Sequence, residues 1–229
     1  MQEKINRFVD NGLEETIASP MDPPQAYHLS NVEPLSQKDM PASLRILFDE
    51  HLKLLDVIKD FEVALGDFKS GAWLMTESVS KRLKSFFQFI DEVVPNHNAM
   101  EEKCLFPLLH NRLVQAGECS PGKHPKTSVD VMEDDHIKNL QSAAVIFNFL
   151  GLAQRISDQQ ARQMILQITY DQGRELAENF RLHIFKENEV LFPLAKKHIS
   201  EQEFEEIYKK MQRYSHECSC SSNCSELDV

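Results

Sequence analysis

The sequence predicts an all-α fold: an antiparallel four-helix bundle with an N-terminal extension and a short C-terminal helix. Three observations carry that prediction. Apolar residues recur with the three-four alternation of amphipathic helices over four long segments. No segment shows the two-residue alternation of a strand. The second half of the chain also repeats the first. A shift of 86 residues lays Ile90, Val94, His97, Glu101, Cys104 and Leu108 on Leu176, Phe180, His183, Glu187, Val190 and Leu194. The repeat keeps the apolar face together with the polar residues set into it, as a duplicated helix pair would.

The elements follow in order. Residues 1–40 contain Pro20, Pro23, Pro24 and Pro34 without a sustained period, and are expected to form an extended arm with one short helix. Asp39 and Pro41 mark a helix start, with proline near the first helical position. The first helix then carries Leu44, Leu47, Phe48, His51, Leu54, Leu55, Ile58 and Phe61, and ends at Gly66, Ser70 and Gly71. A second helix is expected from about Trp73 through Phe86, Ile90, His97, Glu101, Cys104 and Leu108, kinked by Pro95 and again by Pro107. His110 to Thr127, with Gly117, Pro121, Gly122 and Pro125, reads as a long connection. The third helix presents Val129, Met132, His136, Leu140, Ala143, Phe147 and Leu150 on one face, and the fourth Ile165, Thr169, Leu176, Phe180, His183, Glu187, Val190 and Leu194. Two short hairpin connections and one longer middle one make the four antiparallel, so residues 41–200 are expected as the bundle. Residues 201–229 then form a C-terminal helix, opened by a Ser200/Glu203 capping box and running to about Tyr214, and a Ser- and Cys-rich tail.

Composition bounds the function. The 229 residues are 41% hydrophobic, enough for an ordinary core. A net charge of −11 argues against nucleic acid, whose phosphates demand basic patches. No run of about eighteen apolar residues would span a membrane. Met1 to Arg7 lacks the apolar run of an export signal, and three of the five cysteines crowd the last dozen residues. Reduced thiols in a cytoplasmic protein are the expectation.

The chemistry lies in the repeat. His51 precedes His97 by 97 − 51 = 46 residues, and His136 precedes His183 by 183 − 136 = 47; Glu101 and Glu187 each trail the second histidine by four. Asp49-Glu50-His51 parallels Asp134-Asp135-His136, and Leu105-Phe106-Pro107-Leu108 parallels Leu191-Phe192-Pro193-Leu194. A His and a Glu four apart share one helix face. A lone core histidine is ordinarily satisfied by a hydrogen bond, but four of them with two glutamates in matched phase are not explained that way. Two buried carboxylates need positive charge. Two metal ions would supply it, with each Glu bridging both. Imidazole suits iron, zinc, copper or nickel, and mixed nitrogen and carboxylate ligation with spare positions favours iron. A ferritin-like site fits poorly, because it requires Glu-x-x-His at three-residue spacing.

At this point the chain resembles the hemerythrin-like proteins of the HHE cation-binding family. Their pattern is His, His-x-x-x-Glu, His, His-x-x-x-Glu, with Leu-Phe-Pro after each Glu, and His97 to Pro107 and His183 to Pro193 match it closely. The resemblance covers residues 41–200. It implies a four-helix bundle around two iron ions in a non-haem, oxo-bridged centre, with His51, His97, Glu101, His136, His183 and Glu187 as ligands. The oxygen carriers of the family bear two histidines four apart on the third helix. Here Met132 and Leu140 flank His136 at that spacing. Four His and two Glu are instead similar to the RIC-type (repair of iron centres) proteins, linked to nitric oxide stress and to iron delivery to damaged iron–sulfur clusters. That group carries a Cys-containing segment ahead of the bundle, and no cysteine precedes Cys104 here.

The resemblance implies a protein that binds or reacts with nitric oxide, dioxygen or peroxide and passes iron to an accepting protein. Two other readings stay open: a non-enzymatic oxygen or iron binding or sensing protein, and a zinc or manganese structural module. Glu50 and Asp135 serve either an outer contact to the ligand histidines or a solvated helix face, whereas Glu102 and Glu189, at unequal offsets, read as surface. Cys104 reads as a small core residue, and His28, His110, His124, His198 and His216 as ordinary surface histidines. Cys218, Cys220 and Cys224 lack the spacing of structural zinc. They form a reduced tail or one that passes iron or electrons, and deletion of residues 217–229 tests the second.

Overall fold

A computed structural model describes residues 35–222, with side chains through Tyr214. The N-terminal arm through residue 34, His28 and Cys224 lie outside the described residues, as do the side chains of His216, Cys218 and Cys220. Among the described residues every regular element is helical, and no helix is long and apolar enough to cross a membrane.

Helix α1 (Ala42–Ser70) begins immediately after Pro41 and buries Leu44, Leu47, His51, Leu54, Ile58, Phe61, Leu65 and Phe68 on one face. The Gly71 N–H closes it on the Asp67 carbonyl at 2.9 Å. The chain reverses through Ala72 and Trp73, both at positive φ (53° and 65°). Trp73 therefore belongs to the turn rather than to the next helix, its indole packed edge-on against Phe68 and Tyr170. Thr76 caps α2 (Glu77–Glu92), its hydroxyl accepting the Val79 N–H at 3.2 Å.

The expected second helix is a broken run. After α2 come α3 (Val94–Met100), with Pro95 in its first turn, a π-helical turn (Glu101–Leu105), and α4 (Phe106–Ala116). The second half mirrors this around one unbroken helix. Helix α6 (Gln159–Lys186) feeds a π turn (Glu187–Leu191) and α7 (Phe192–His198). Each π turn starts on the repeated Glu, and its next helix carries proline in the second position. A proline ring collides with the carbonyl four residues back, here Lys103 for Pro107 and Glu189 for Pro193, both inside the π turns. The strand of bonds widens instead of bending: the Phe106 N–H reaches the Glu101 carbonyl, and the Phe192 N–H that of Glu187. What the sequence reads as a proline kink is a π turn.

Helix α4 also continues through Ala116, so the long connection starts at Gly117, whose φ of 78° ends the helix with bonds to the Leu113 and Val114 carbonyls. Thr127 and Asp130 form a capping box for α5 (Ser128–Arg155). Asp158 caps α6, accepting from the Ala161 N–H at 2.7 Å. Helix α8 (Glu201–Ser222) opens with the expected Ser200/Glu203 box and extends past Tyr214, taking the backbone of Cys218 and Cys220 into the helix. Phe147, expected in the core, is 59% exposed at the margin of the α5 face, against the edge of Phe87.

Helices α1, α2–α4, α5 and α6–α7 form the four-helix bundle, and α8 packs against α1. Its apolar interior is divided. One cluster gathers Leu44, Leu47, Phe106, Leu109, Met132, Phe192 and, from α8, Phe204, Ile207 and Met211. The other gathers Leu54, Ile58, Phe61, Phe86, Ile146, Leu176 and Phe180. A layer of buried histidines and carboxylates lies between them. Helices α1 and α6 meet at Gly173, where a Cβ would fall 2.7 Å from Leu65 Cδ1 and 3.3 Å from Phe61 Cζ. Gly173→Ala is expected to lower stability by about 1–3 kcal/mol through overpacking, despite alanine's helix preference of about 1 kcal/mol. Denaturant titration checks this; an unchanged or raised midpoint would show that Leu65 simply swings aside.

Candidate metal centre

The three-four spacing that buries one face of α1, α3, α5 and α6 carries His51, His97, His136 and His183 into the middle layer, each nearly inaccessible to solvent. Glu101 and Glu187, at the first positions of the π turns, are both 0% exposed. The Nε2 atoms of His51 and His97 stand 3.0 Å apart, and His51 Nε2 is 3.0 Å from Glu187 Oε2. The other oxygen of Glu187 lies 3.3 Å from His183 Nε2 and 3.8 Å from His136 Nε2. Glu101 Oε2 lies 3.3 Å from His136 Nε2 and 3.6 Å from His97 Nε2. The six side chains that the repeat singles out thus converge on one place. They form two groups, His51, His97, Glu101 and Glu187, and His136, His183 and Glu187, whose donor atoms lie within 4.8 Å of one another.

The donor set fits cations on its own terms. Two nitrogens bound to one ion at about 2.1 Å and at right angles stand about 3.0 Å apart, the His51–His97 separation. Both oxygens of Glu101, both of Glu187 and Nε2 of His136 are buried without any hydrogen-bond partner. Buried carboxylates left so are costly unless positive charge reaches them. Glu187 turns one oxygen to each histidine pair, the arrangement of a bridge.

A family model for the hemerythrin HHE cation binding domain matches residues 42–195, a span that holds all six of these residues. The chain belongs to the hemerythrin HHE cation-binding family. No curated protein matches it. It is a metal-binding protein with the helical bundle of that family.

Behind the inner ring, this hemerythrin-like chain holds the histidines from their far nitrogens. With Nε2 facing inward, Nδ1–H donates: His97 to Glu50 at 2.8 Å, His136 to Glu102 at 2.8 Å, and His51 to the Asn188 Oδ1 at 2.9 Å. Such contacts fix the ring and raise its basicity. Glu50 therefore takes the outer-contact reading. Glu102 corrects the expectation of a surface residue, for it joins the two halves through His136. Asp135 does not reach a histidine and instead accepts from Lys186 Nζ at 3.0 Å. The Phe of each Leu-Phe-Pro lies flat against the opposite half's histidine, Phe192 on His51 at 5.7 Å and Phe106 on His136 at 5.9 Å.

Burial alone would discharge these rings. At His136 the Glu101 and Glu187 carboxylates outweigh burial and push its pKa up to about 11. At His97, burial is likewise overcome by Glu101 and by the bond to Glu50, and the pKa rises. Burial prevails at His183 and lowers it to about 4. Burial would raise Glu187, but the surrounding His183, His136 and His51 hold it well below the ordinary carboxylate range. Without metal, the two carboxylates favour the charged form of His136, so a metal competes with a proton for Nε2. Loading near pH 7.5 is expected to release about one proton or more per chain, and affinity is expected to fall as pH falls. An indicator dye in weak buffer reads this; no release would mean that His136 is already neutral.

A cavity of about 20 Å³ abuts the layer, lined by Leu54, Val94, Phe180, Ile184, Asn98 and Asn139 beside the histidines. That is room for a water-sized guest. Asn98 and Asn139 are buried, and sequence reasoning missed both. Their signal was faint: polar residues one place after His97 and three after His136. Cys104 is buried in the core as expected, burial raising its thiol pKa. His110 stands apart from the cluster, against Thr127 at the α5 cap.

Proposed function

We propose that the chain is a cytoplasmic non-haem di-iron protein that binds or reacts with nitric oxide, dioxygen or peroxide. In this reading it serves iron–sulfur repair or iron supply, as RIC-type proteins do, with an iron-accepting protein as its partner. His51 and His97 would hold one ion and His136 and His183 the other, with Glu101 and Glu187 bridging. The observation that carries the reading is Glu187, whose two partnerless oxygens face different histidine pairs beside a cavity sized for a very small guest. Four His and two Glu leave coordination positions free, and buried Met132 occupies one of the two positions on α5 where the oxygen carriers' additional histidine would lie.

Bound iron supplies electrons and Lewis acidity there. The protein's part is positioning. Leu54, Val94, Phe180 and Ile184 exclude bulk water, and the Asn98 and Asn139 amides offer hydrogen bonds to a polar diatomic. Glu50, 24% exposed, accepts from His97 Nδ1 at the solvent edge and can pass a proton outward.

Elemental analysis after growth with ample iron tests the premise, with about two irons per chain expected. The reduced protein is then mixed with nitric oxide, dioxygen and peroxide in turn. Consumption of one of them supports reaction. Reversible binding without consumption assigns the centre to oxygen or iron sensing instead. Zinc or manganese alone, with no iron uptake on reconstitution, would end the redox reading.

A further inference from the structure

The two halves repeat in sequence but differ around the centre. His51 and His136 correspond, and each is held from the residue after the opposite bridging Glu: Asn188 for the first, Glu102 for the second. His97 and His183 also correspond, and here the likeness fails. Glu50 precedes His51 and accepts from His97 Nδ1 at 2.8 Å. Asp135 holds the matching place before His136, yet its Oδ2 is occupied by Lys186 Nζ at 3.0 Å. His183 Nδ1 is left buried with no hydrogen-bond partner. Asp135 is still close enough for its charge to act on His183. Lys186 has no counterpart in the first half, where a shift of 86 residues puts the uncharged Met100. A buried ammonium must keep an anion beside it, and Lys186 is 7% exposed, so Asp135 is committed to it.

We propose that Lys186 is a positioning residue that withholds Asp135 from His183, making the His136–His183 half of the centre the weaker metal position and the first to give up its ion. The proposal rests on the two-metal reading above. A histidine whose outer N–H is held by a carboxylate is fixed in orientation and more basic, and losing such a partner typically weakens metal binding by about 10–100-fold. Outer contacts differ accordingly: His51 and His97 are both held from their Nδ1 atoms, whereas of His136 and His183 only His136 is.

The test uses the whole chain loaded with ferrous iron under anaerobic conditions and then mixed with excess chromogenic chelator. Release is expected in two phases of equal amplitude whose rates differ about tenfold or more. Lys186→Met frees Asp135 for His183 and is expected to slow the fast phase toward the slow one. Lys186→Gln should act in the same direction, and it carries the test if the methionine variant fails to fold. Glu50→Gln is expected to quicken the slow phase and spare the fast one. A single phase in the native protein overturns the proposal while leaving the two-metal reading intact. A fast phase indifferent to both Lys186 substitutions overturns it as well. Uptake of only one ion would instead remove the reading beneath it, and the proposal with it.

Discussion

Replacing Glu187 with alanine is expected to reduce metal uptake from about two ions per chain to fewer than one, a larger loss than for any other single residue of the centre. Glu187 is the one side chain common to both donor groups, with Oε2 at 3.0 Å from His51 and Oε1 at 3.3 Å from His183. Glu101→Ala is expected to do less harm, because Glu101 presents a single oxygen, Oε2, to the histidines, 3.3 Å from His136 and 3.6 Å from His97, where Glu187 presents two. Loading stabilises a fold in proportion to the affinity of what it binds. The rise in unfolding temperature that metal gives the native protein should therefore nearly vanish in Glu187→Ala and persist in part in Glu101→Ala. Elemental analysis and thermal unfolding with and without iron measure both. Equal losses in the two variants would mean that Glu187 is no more a bridge than Glu101.

Phe192→Ala is expected to cost about 3–5 kcal/mol of stability and to weaken metal binding as well. Phe192 is wholly buried in the cluster below the polar layer, and its ring lies parallel to His51, 7° between planes. Removing it opens a cavity under His51 and releases the orientation of its ring. The two effects separate in Phe192→Leu. A near volume-conserving change should cost less than about 1.5 kcal/mol yet still take away the flat surface that holds the imidazole. Denaturant titration of the metal-free protein reads the first effect, and chelator competition the second. If Phe192→Leu binds metal like the native chain, the stack is packing only.

Helix number, order and direction were legible because burial imposes its period directly on the residues. The six convergent residues were legible because they interrupt that period twice, in the same phase. Less legible was what proline does near a helix end. Pro107 signalled a bend and Pro193 went unread, but tertiary context makes both places π turns, with Phe106 and Phe192 locked in the core on the far side. Glu102 was missed for a different reason. Setting it against Glu189 gave unequal offsets, whereas the 86-residue shift pairs it with Asn188, and both reach across the centre to a histidine. Asp135 shows the limit of arguing by repeat. Its place matched Glu50, and only the position of the Lys186 ammonium reveals that it is engaged elsewhere.

The crossing of contacts between halves has a consequence for how such a chain could arise. Glu187, Asn188 and Phe192 serve His51, while Glu101, Glu102 and Phe106 serve His136. On the two-metal reading proposed above, neither half completes a metal position alone, so an ancestor of half this length would work only as a symmetric pair, each copy lending its glutamate to the other. Symmetry would then force its two positions to be identical, since any substitution appears on both sides at once. Joining the copies in one gene lifts that constraint. Asn188 standing where the first half has Glu102, and Lys186 where it has Met100, are changes that a fused chain can make on one side.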